Sequence, residues 1–324
     1  MTFSKAAVLD LALLAVMILA SRLALVVHEV GGHALPAKAL GARRVEVRLS
    51  PLGGGFVTPT FLADHPPSAA ENAIFCLGGI ALNLLTGLGA WFWARRLKTR
   101  GVLYAALLFF SVGSAAGALS YLACGFYYGS GDPVGFAPVT SDISGAQWMW
   151  ILFVPPMGAV TWIGTSHFMD FLAGRWTLDT PRRRVAALLA TAGLVGLCYG
   201  GLWLALRDPR IEGSTRQWRL EREVEKEVGR RLEMQKAAPS PLEPQPLPAP
   251  SLPPPVPVVR PEEVADRVPA PTGPIVIYAT AVLAAFFGAA RARPQGEAAP
   301  VRPAVAVGLS LLAGTVVALF RAFG

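Results

Sequence analysis

Apolar residues run through this chain in long unbroken blocks rather than at the spacing of a surface helix or a half-buried strand. Five blocks, about 6–35, 70–94, 102–127, 147–172 and 183–206, are each long enough to cross roughly 30 Å of hydrocarbon as a helix. Two more, about 275–290 and 301–321, read as a closing helical hairpin, the first of them short for a span. The pattern changes once, between 41 and 60. There Val45, Val47 and Leu49 alternate with Glu46, Arg48 and Ser50, the period of two that marks a strand. Pro51-Leu52-Gly53-Gly54-Gly55 then supplies a turn, and Phe56-Val57-Thr58 a returning strand. The expected fold is an all-α membrane protein, a polytopic helical bundle of five to seven spans with a small membrane-associated β-hairpin.

The polar stretches divide the chain into four parts. Residues 1–207 form the membrane core. Residues 208–236 interleave opposite charges at i,i+4, as in Glu212/Arg216, Arg219/Glu223 and Glu227/Arg231, which predicts a solvent-exposed helix continuing from the fifth span. Residues 237–274 hold 14 of the 28 prolines and read as an extended linker. Residues 275–324 carry the last hairpin.

Composition agrees with a lipid solvent. Of 324 residues 53% are hydrophobic and only 15% charged, with a mean hydropathy of +0.47, whereas soluble domains sit near a quarter charged. The expected setting is a multi-pass integral protein of a bacterial-type cell membrane. The net charge of +8 suits loops facing anionic lipid. No basic patch interleaved with aromatics supports nucleic acid, so the lipid bilayer is the expected partner. Cys76, Cys124 and Cys198 each lie in an apolar block and make neither a disulfide framework nor a cysteine-rich metal site.

The chemistry concentrates in Val27-His28-Glu29-Val30-Gly31-Gly32-His33-Ala34-Leu35. Ionisable groups at membrane depth are costly and mark function by default. The usual zinc-protease helix spaces its histidines four apart, on one face. Here they are five apart, so a regular helix would point them about 140° from each other. A one-residue π-type bulge would absorb the extra position, and Gly31-Gly32 is where its steric cost is least. The competing geometry keeps the helix regular and uses Glu29 and His33, already at i,i+4, as ligands. The five-residue spacing resembles the variant in the dipeptidyl peptidase III family of zinc exopeptidases.

Taken in chain order, four fragments together resemble the site-2 protease family of intramembrane zinc metalloproteases. HEVGGHAL at 28–35 resembles that family's His-Glu-x-x-His helix with one glycine inserted. SPLGGGFV resembles its membrane-associated strand and glycine turn. Gly78-Gly79-Ile80-Ala81-Leu82-Asn83 resembles its Gly-x-x-x-Asn helix, and Ser130-Gly131-Asp132-Pro133 stands where the family supplies a third, carboxylate ligand. The resemblance covers about residues 22–140. It implies a zinc-dependent metalloendopeptidase, a hydrolase acting inside the membrane on membrane-spanning or membrane-associated protein substrates. His28, His33 and Asp132 would then be the Zn2+ ligands, Glu29 the catalytic base and Asn83 a contact to the substrate carbonyl or its oxyanion. Asp142 and the His167/Asp170 pair are alternative third ligands. Residues 45–58 would bind substrate as an added strand.

Two expectations pull against each other. Lys and Arg are richer on the side holding Lys5, Arg95–Arg100, Arg175–Arg184 and Arg291–Arg302, which predicts that side as cytoplasmic; the family resemblance implies the opposite side. The rival function, from a different class, is a catalytically silent relative acting as a membrane scaffold or regulator, and the inserted glycine is the feature that favours it.

Overall fold

The computed structural model describes residues 3–62, 66–129, 131–132, 147–173, 175–206, 215–237, 257–293 and 300–323. Among the described residues seven helical segments are long and apolar enough to cross a membrane, which makes the chain a multi-pass integral membrane protein. Helix α1 (Phe3–Val26) runs directly into a π-helical segment, Val27–Ala34, and then into the short α2 (Leu35–Ala39). Strands β1 (Arg44–Leu49) and β2 (Gly55–Thr60) pair antiparallel, Arg44 opposite Thr60 and Leu49 opposite Gly55. The remaining spans are α3 (Ala69–Arg96), α4 (Val102–Tyr128), α5 (Val154–Ala173, led in by a 3-10 turn), and α6 (Pro181–Leu188), which continues through a second π turn into α7 (Leu194–Leu206). The amphipathic α8 (Thr215–Ala237) precedes the last two spans, α9 (Thr272–Arg291) and α10 (Pro303–Phe323).

The spans alternate in direction, so one end of the bundle gathers the start of α1, the end of α3, the start of α4 and the end of α5. Leu9, Ala94, Tyr104, Phe171 and Ala289 meet there in one apolar core. The other end holds the π-helix, the hairpin and the end of α4. Outward faces remain greasy, with Leu85, Leu197 and Leu311 more than half exposed, as expected where lipid rather than water is the neighbour.

Close helix approach is bought with small residues. Gly158 of α5 leaves room for Thr280, and Gly288 of α9 sits on the Trp162 backbone. These contacts explain a departure from the expected closing hairpin. Spans α9 and α10 do not fold on each other; α9 packs on α5 and α6, while α10 packs on α1.

The charged helix and the end of the linker also differ from expectation. Helix α8 is no free stalk, because Arg222 reaches back to the Gly129 carbonyl at the end of α4 (3.2 Å) and Glu223 and Glu227 are buried. Against Glu227 lies the last part of the proline-rich stretch, residues 257–271, wound into two 3-10 turns (Pro261–Glu263 and Ala265–Arg267). Val259, Val264 and Val268 bury their side chains, and Arg267 and Arg231 tie the segment to Glu227 and Glu263. Residues 238–256 lie outside the described residues.

Arg230, then Arg231, and also Arg267 hold the Glu227 carboxyl down to about 2 from an ordinary value of 4.5. A carboxylate depressed in the folded state stabilises above its unfolded pKa and loses that contribution as pH falls through the folded value. Docking of 257–268 on α8 should therefore weaken as pH drops from about 4.5 towards 2. Amide hydrogen exchange of Val264–Val268 should rise over that window, and Glu227→Gln should produce the same rise at pH 7; protection unchanged in both would refute the ion-pair account.

Candidate metal centre

The extra residue in the His-Glu segment is taken up as the bulge geometry requires. Val27–Ala34 is π-helical, and i→i+5 bonding brings positions five apart onto one face. The His28 and His33 rings meet edge-on with centroids 4.9 Å apart, and their Nε2 atoms are 3.3 Å apart. The regular-helix alternative, with Glu29 and His33 as the paired ligands, is not the geometry adopted.

Two further elements complete the site. Helix α3 begins with a capping box, the Ser68 hydroxyl accepting from the Glu71 amide and the Glu71 carboxylate from the Ser68 amide. From that start Phe75, Gly79 and Asn83 fall at i, i+4 and i+8, on one face. That face meets the π-helix. A Cβ on Gly32 would overlap the Gly79 backbone, and one on Gly78 would overlap the Gly32 carbonyl. A Cβ on Gly79 would stand 2.5 Å from His33 Nε2 and 2.8 Å from His28 Nε2. Glycine at these positions is what lets two backbones touch and leaves the rings their space.

Asp132 arrives from the end of α4. Gly129 closes that helix in the left-handed region (φ 60°) and Gly131 adopts φ 79°, so the chain doubles back over the bundle. The Tyr121 hydroxyl accepts from the Asp132 amide at 3.2 Å, fixing the returned turn. Asp132 Oδ2 then lies 3.6 Å from His28 Nε2 and 3.2 Å from His33 Nε2.

The three ligand atoms thus form a triangle with sides of 3.3, 3.2 and 3.6 Å. A tetrahedral zinc with bonds near 2.0–2.1 Å spaces its ligands about 3.3 Å apart. The donor set of two imidazoles and a carboxylate suits a borderline ion. Among the described residues this is the one group of three or more His, Cys, Asp or Glu able to hold a metal.

Supporting contacts orient the rings. His33 Nδ1 donates to the Phe75 carbonyl at 2.7 Å, leaving Nε2 as the acceptor that a metal needs. His28 Nδ1 faces the Asn83 side-chain amide at 3.3 Å, while Asn83 Oδ1 is buried without a hydrogen-bond partner. Exchanging the two ends of that amide, which have nearly the same shape, lets His28 Nδ1–H donate to Oδ1 and satisfies both groups. In that arrangement Asn83 orients His28. It also lines the same cavity.

Glu29 is buried. Its Cγ would stand 3.1 Å from a Cβ on Gly55, the first residue of β2. Together with the two histidines and Asp132 it lines a cavity of about 760 Å3, whose wall includes Gly53–Val57 of the hairpin and whose far side includes Arg222 of α8 and Tyr278 of α9.

Of the alternative third ligands, the described pair lies away from the site. His167 and Asp170 pair with each other (3.4 Å), and His167 also meets Tyr104 and Trp91 at the opposite end of the bundle. Asp142 lies outside the described residues. Sequence reasoning missed Tyr121, the Phe75 carbonyl and the steric role of Gly79. No local signal marks the first two, since a tyrosine and a backbone oxygen in apolar helices look like packing. Gly79 stood within the Gly-Gly pair already singled out, but its contact with both rings is visible only once two helices are brought together.

No family model, no curated protein and no solved structure matches this chain.

Proposed function

We propose that the chain is an intramembrane zinc metalloendopeptidase that cleaves membrane-spanning or membrane-associated protein substrates. A bacterial-type cell membrane belongs to the same proposal. The observation that carries it is the triangle of His28 Nε2, His33 Nε2 and Asp132 Oδ2, matched to the edges of a tetrahedron and left open on the cavity side.

His28, His33 and Asp132 would hold the ion. When bound, zinc supplies Lewis-acid polarisation and a water whose pKa falls to about 7. Glu29, buried on the wall of the same cavity, serves as the base that accepts the proton of the attacking water and returns one to the leaving amine. Asn83 and the Phe75 carbonyl hold the two imidazoles in the tautomer that presents Nε2 inward. Strand β2 borders the cavity and offers main-chain groups to a substrate laid beside it as a further strand. A helical substrate must unwind to expose its amide, because helix bonding satisfies and covers the scissile group. The rival scaffold reading drew on the inserted glycine; the π-helix accommodates that residue with the rings together, which removes its main support.

The decisive measurement is metal content of the detergent-purified chain alongside proteolysis. Wild type should hold about one zinc per chain; His28→Ala, His33→Ala and Asp132→Ala should each lose it. Glu29→Gln should keep the zinc and lose cleavage by about 10²–10⁴-fold, the usual size of a general-base contribution. Equal processing by wild type and Glu29→Gln would overturn the enzyme reading.

Steric support gives an independent check. Gly79→Ala places a methyl group against both imidazoles and should weaken zinc binding by at least about tenfold, the scale of losing a supporting contact. Gly89→Ala, on the same helix with nothing within 4 Å of the new Cβ, should leave zinc binding unchanged. Equal affinities in a competitive chelator titration would show that the close approach of the helices is not needed for the site.

A further inference from the structure

Arg22 is a permanent cation within the first span, six positions before His28, and only 3% exposed. Neither metal binding nor proton transfer calls for it. Such a residue is expensive at membrane depth and needs partners. Its guanidinium fork takes backbone carbonyls of the hairpin turn: Nη1 donates to Ser50 O at 2.7 Å and Nη2 to Leu52 O at 2.9 Å. Nη2 also donates to the Ser21 hydroxyl at 3.0 Å. From the other side, the Tyr199 hydroxyl of α7 donates to the same Leu52 carbonyl at 2.9 Å and bonds Ser21 at 3.0 Å. Ser50 and Leu52 are both buried, so the turn is anchored between two spans and is not a loop lying on the surface.

The turn passes that hold on to β2. The Ser50 amide donates to Gly54 O at 2.9 Å and the Gly53 amide to Ser50 Oγ at 3.1 Å. The next residue, Gly55, is the one packed against Glu29 Cγ. Arg22 and Glu29 stand seven residues apart on one continuous helical rod, roughly 10 Å along it. The strand edge and the base are therefore positioned from the same rigid element.

We propose that Arg22 is a positioning residue: it sets the height of β2 relative to Glu29, so that an extended peptide added to the cavity edge of β2 has its scissile amide at the base and the metal triangle. The proposal rests on the proteolytic reading above for its purpose, though the hold on the strand does not. Lysine should not replace it, because a single ammonium cannot reproduce a planar fork bridging two carbonyls and a hydroxyl.

The test uses the full chain in detergent, with Arg22→Lys, Arg22→Ala and, as a variant that keeps the volume and the charge, Tyr199→Phe. Amide exchange is read at Gly53–Val57 and within α3, zinc content on the same samples, and kinetics on casein as an unfolded polypeptide probe. Expected are at least about tenfold faster exchange at Gly53–Val57, unchanged exchange in α3, unchanged zinc and a KM for casein raised about tenfold with kcat less affected. Tyr199→Phe should move the same readings by less, and millimolar guanidinium should partly restore Arg22→Ala. Exchange and KM unchanged in the Arg22 variants would overturn the proposal. So would loosening that spreads through α3 with loss of zinc, which would make Arg22 a general brace of the bundle. If wild type binds no zinc and cleaves nothing, the proteolytic reading fails, while exchange at Gly53–Val57 still decides whether Arg22 holds the strand.

Discussion

Everything at the site depends on two backbones touching inside an apolar bundle. The π-helix and α3 cross at Gly32, Gly78 and Gly79 with no space for a Cβ at any of them. Membrane helices gain little from the hydrophobic effect when they meet, since lipid is as apolar as their side chains; contact area and satisfied polar groups must hold them. At this crossing the two come together. The glycines permit contact, contact brings the Phe75 carbonyl to His33 and the Asn83 amide to His28, and those bonds give the imidazoles one orientation. A methyl group in the crossing would separate the helices and, with them, the ring from its acceptor.

The same crossing explains why an extra residue in the His-Glu segment is tolerated. In a regular helix, five positions rotate a side chain about 140° away from its partner. The π-helical turn removes that rotation, and glycines at 31 and 32 reduce its steric cost. The widened turn is also where α3 presses closest. Insertion and crossing are thus two sides of one local solution.

Much of this was legible in the sequence, and the part that was not has a common cause. The spans announced themselves because lipid demands long apolar runs, and the hairpin because Val45, Val47 and Leu49 alternate before a glycine turn. Helix geometry and the adjacent glycines offered the pairing of His28 with His33 as one of two arrangements, and the π-helix is the one adopted. Hidden were relations between distant segments: Tyr121 receiving the Asp132 amide, Tyr199 and Arg22 sharing Leu52 O, and α10 packing on α1 instead of α9. Each is a contact of high sequence separation between residues whose local surroundings look like ordinary packing. Helix α8 is a helix with many exposed positions, as expected, but its buried side was hidden for a related reason. Its interleaved charges have the i,i+4 spacing of a solvated helix, yet the buried Glu227 draws a third arginine from forty residues further on.

The C-terminal elements bear on access. Arg222 and Tyr278 reach the cavity from α8 and α9, and Tyr127 at the end of α4 donates to the Ala270 carbonyl, binding the final linker segment beside it. Segments that follow Asp132 by ninety or more residues thus contribute to the cavity lining. Charged and apolar contacts both hold α8 and residues 257–268 together, the first through Glu227 and Glu263 and the second through Val259, Val264 and Val268. The hairpin side of the cavity is held differently, its turn fixed to α1 and α7 through Arg22 and Tyr199. Glu29, the two histidines and the strand edge are thus all positioned from the first helix or from the glycine crossing.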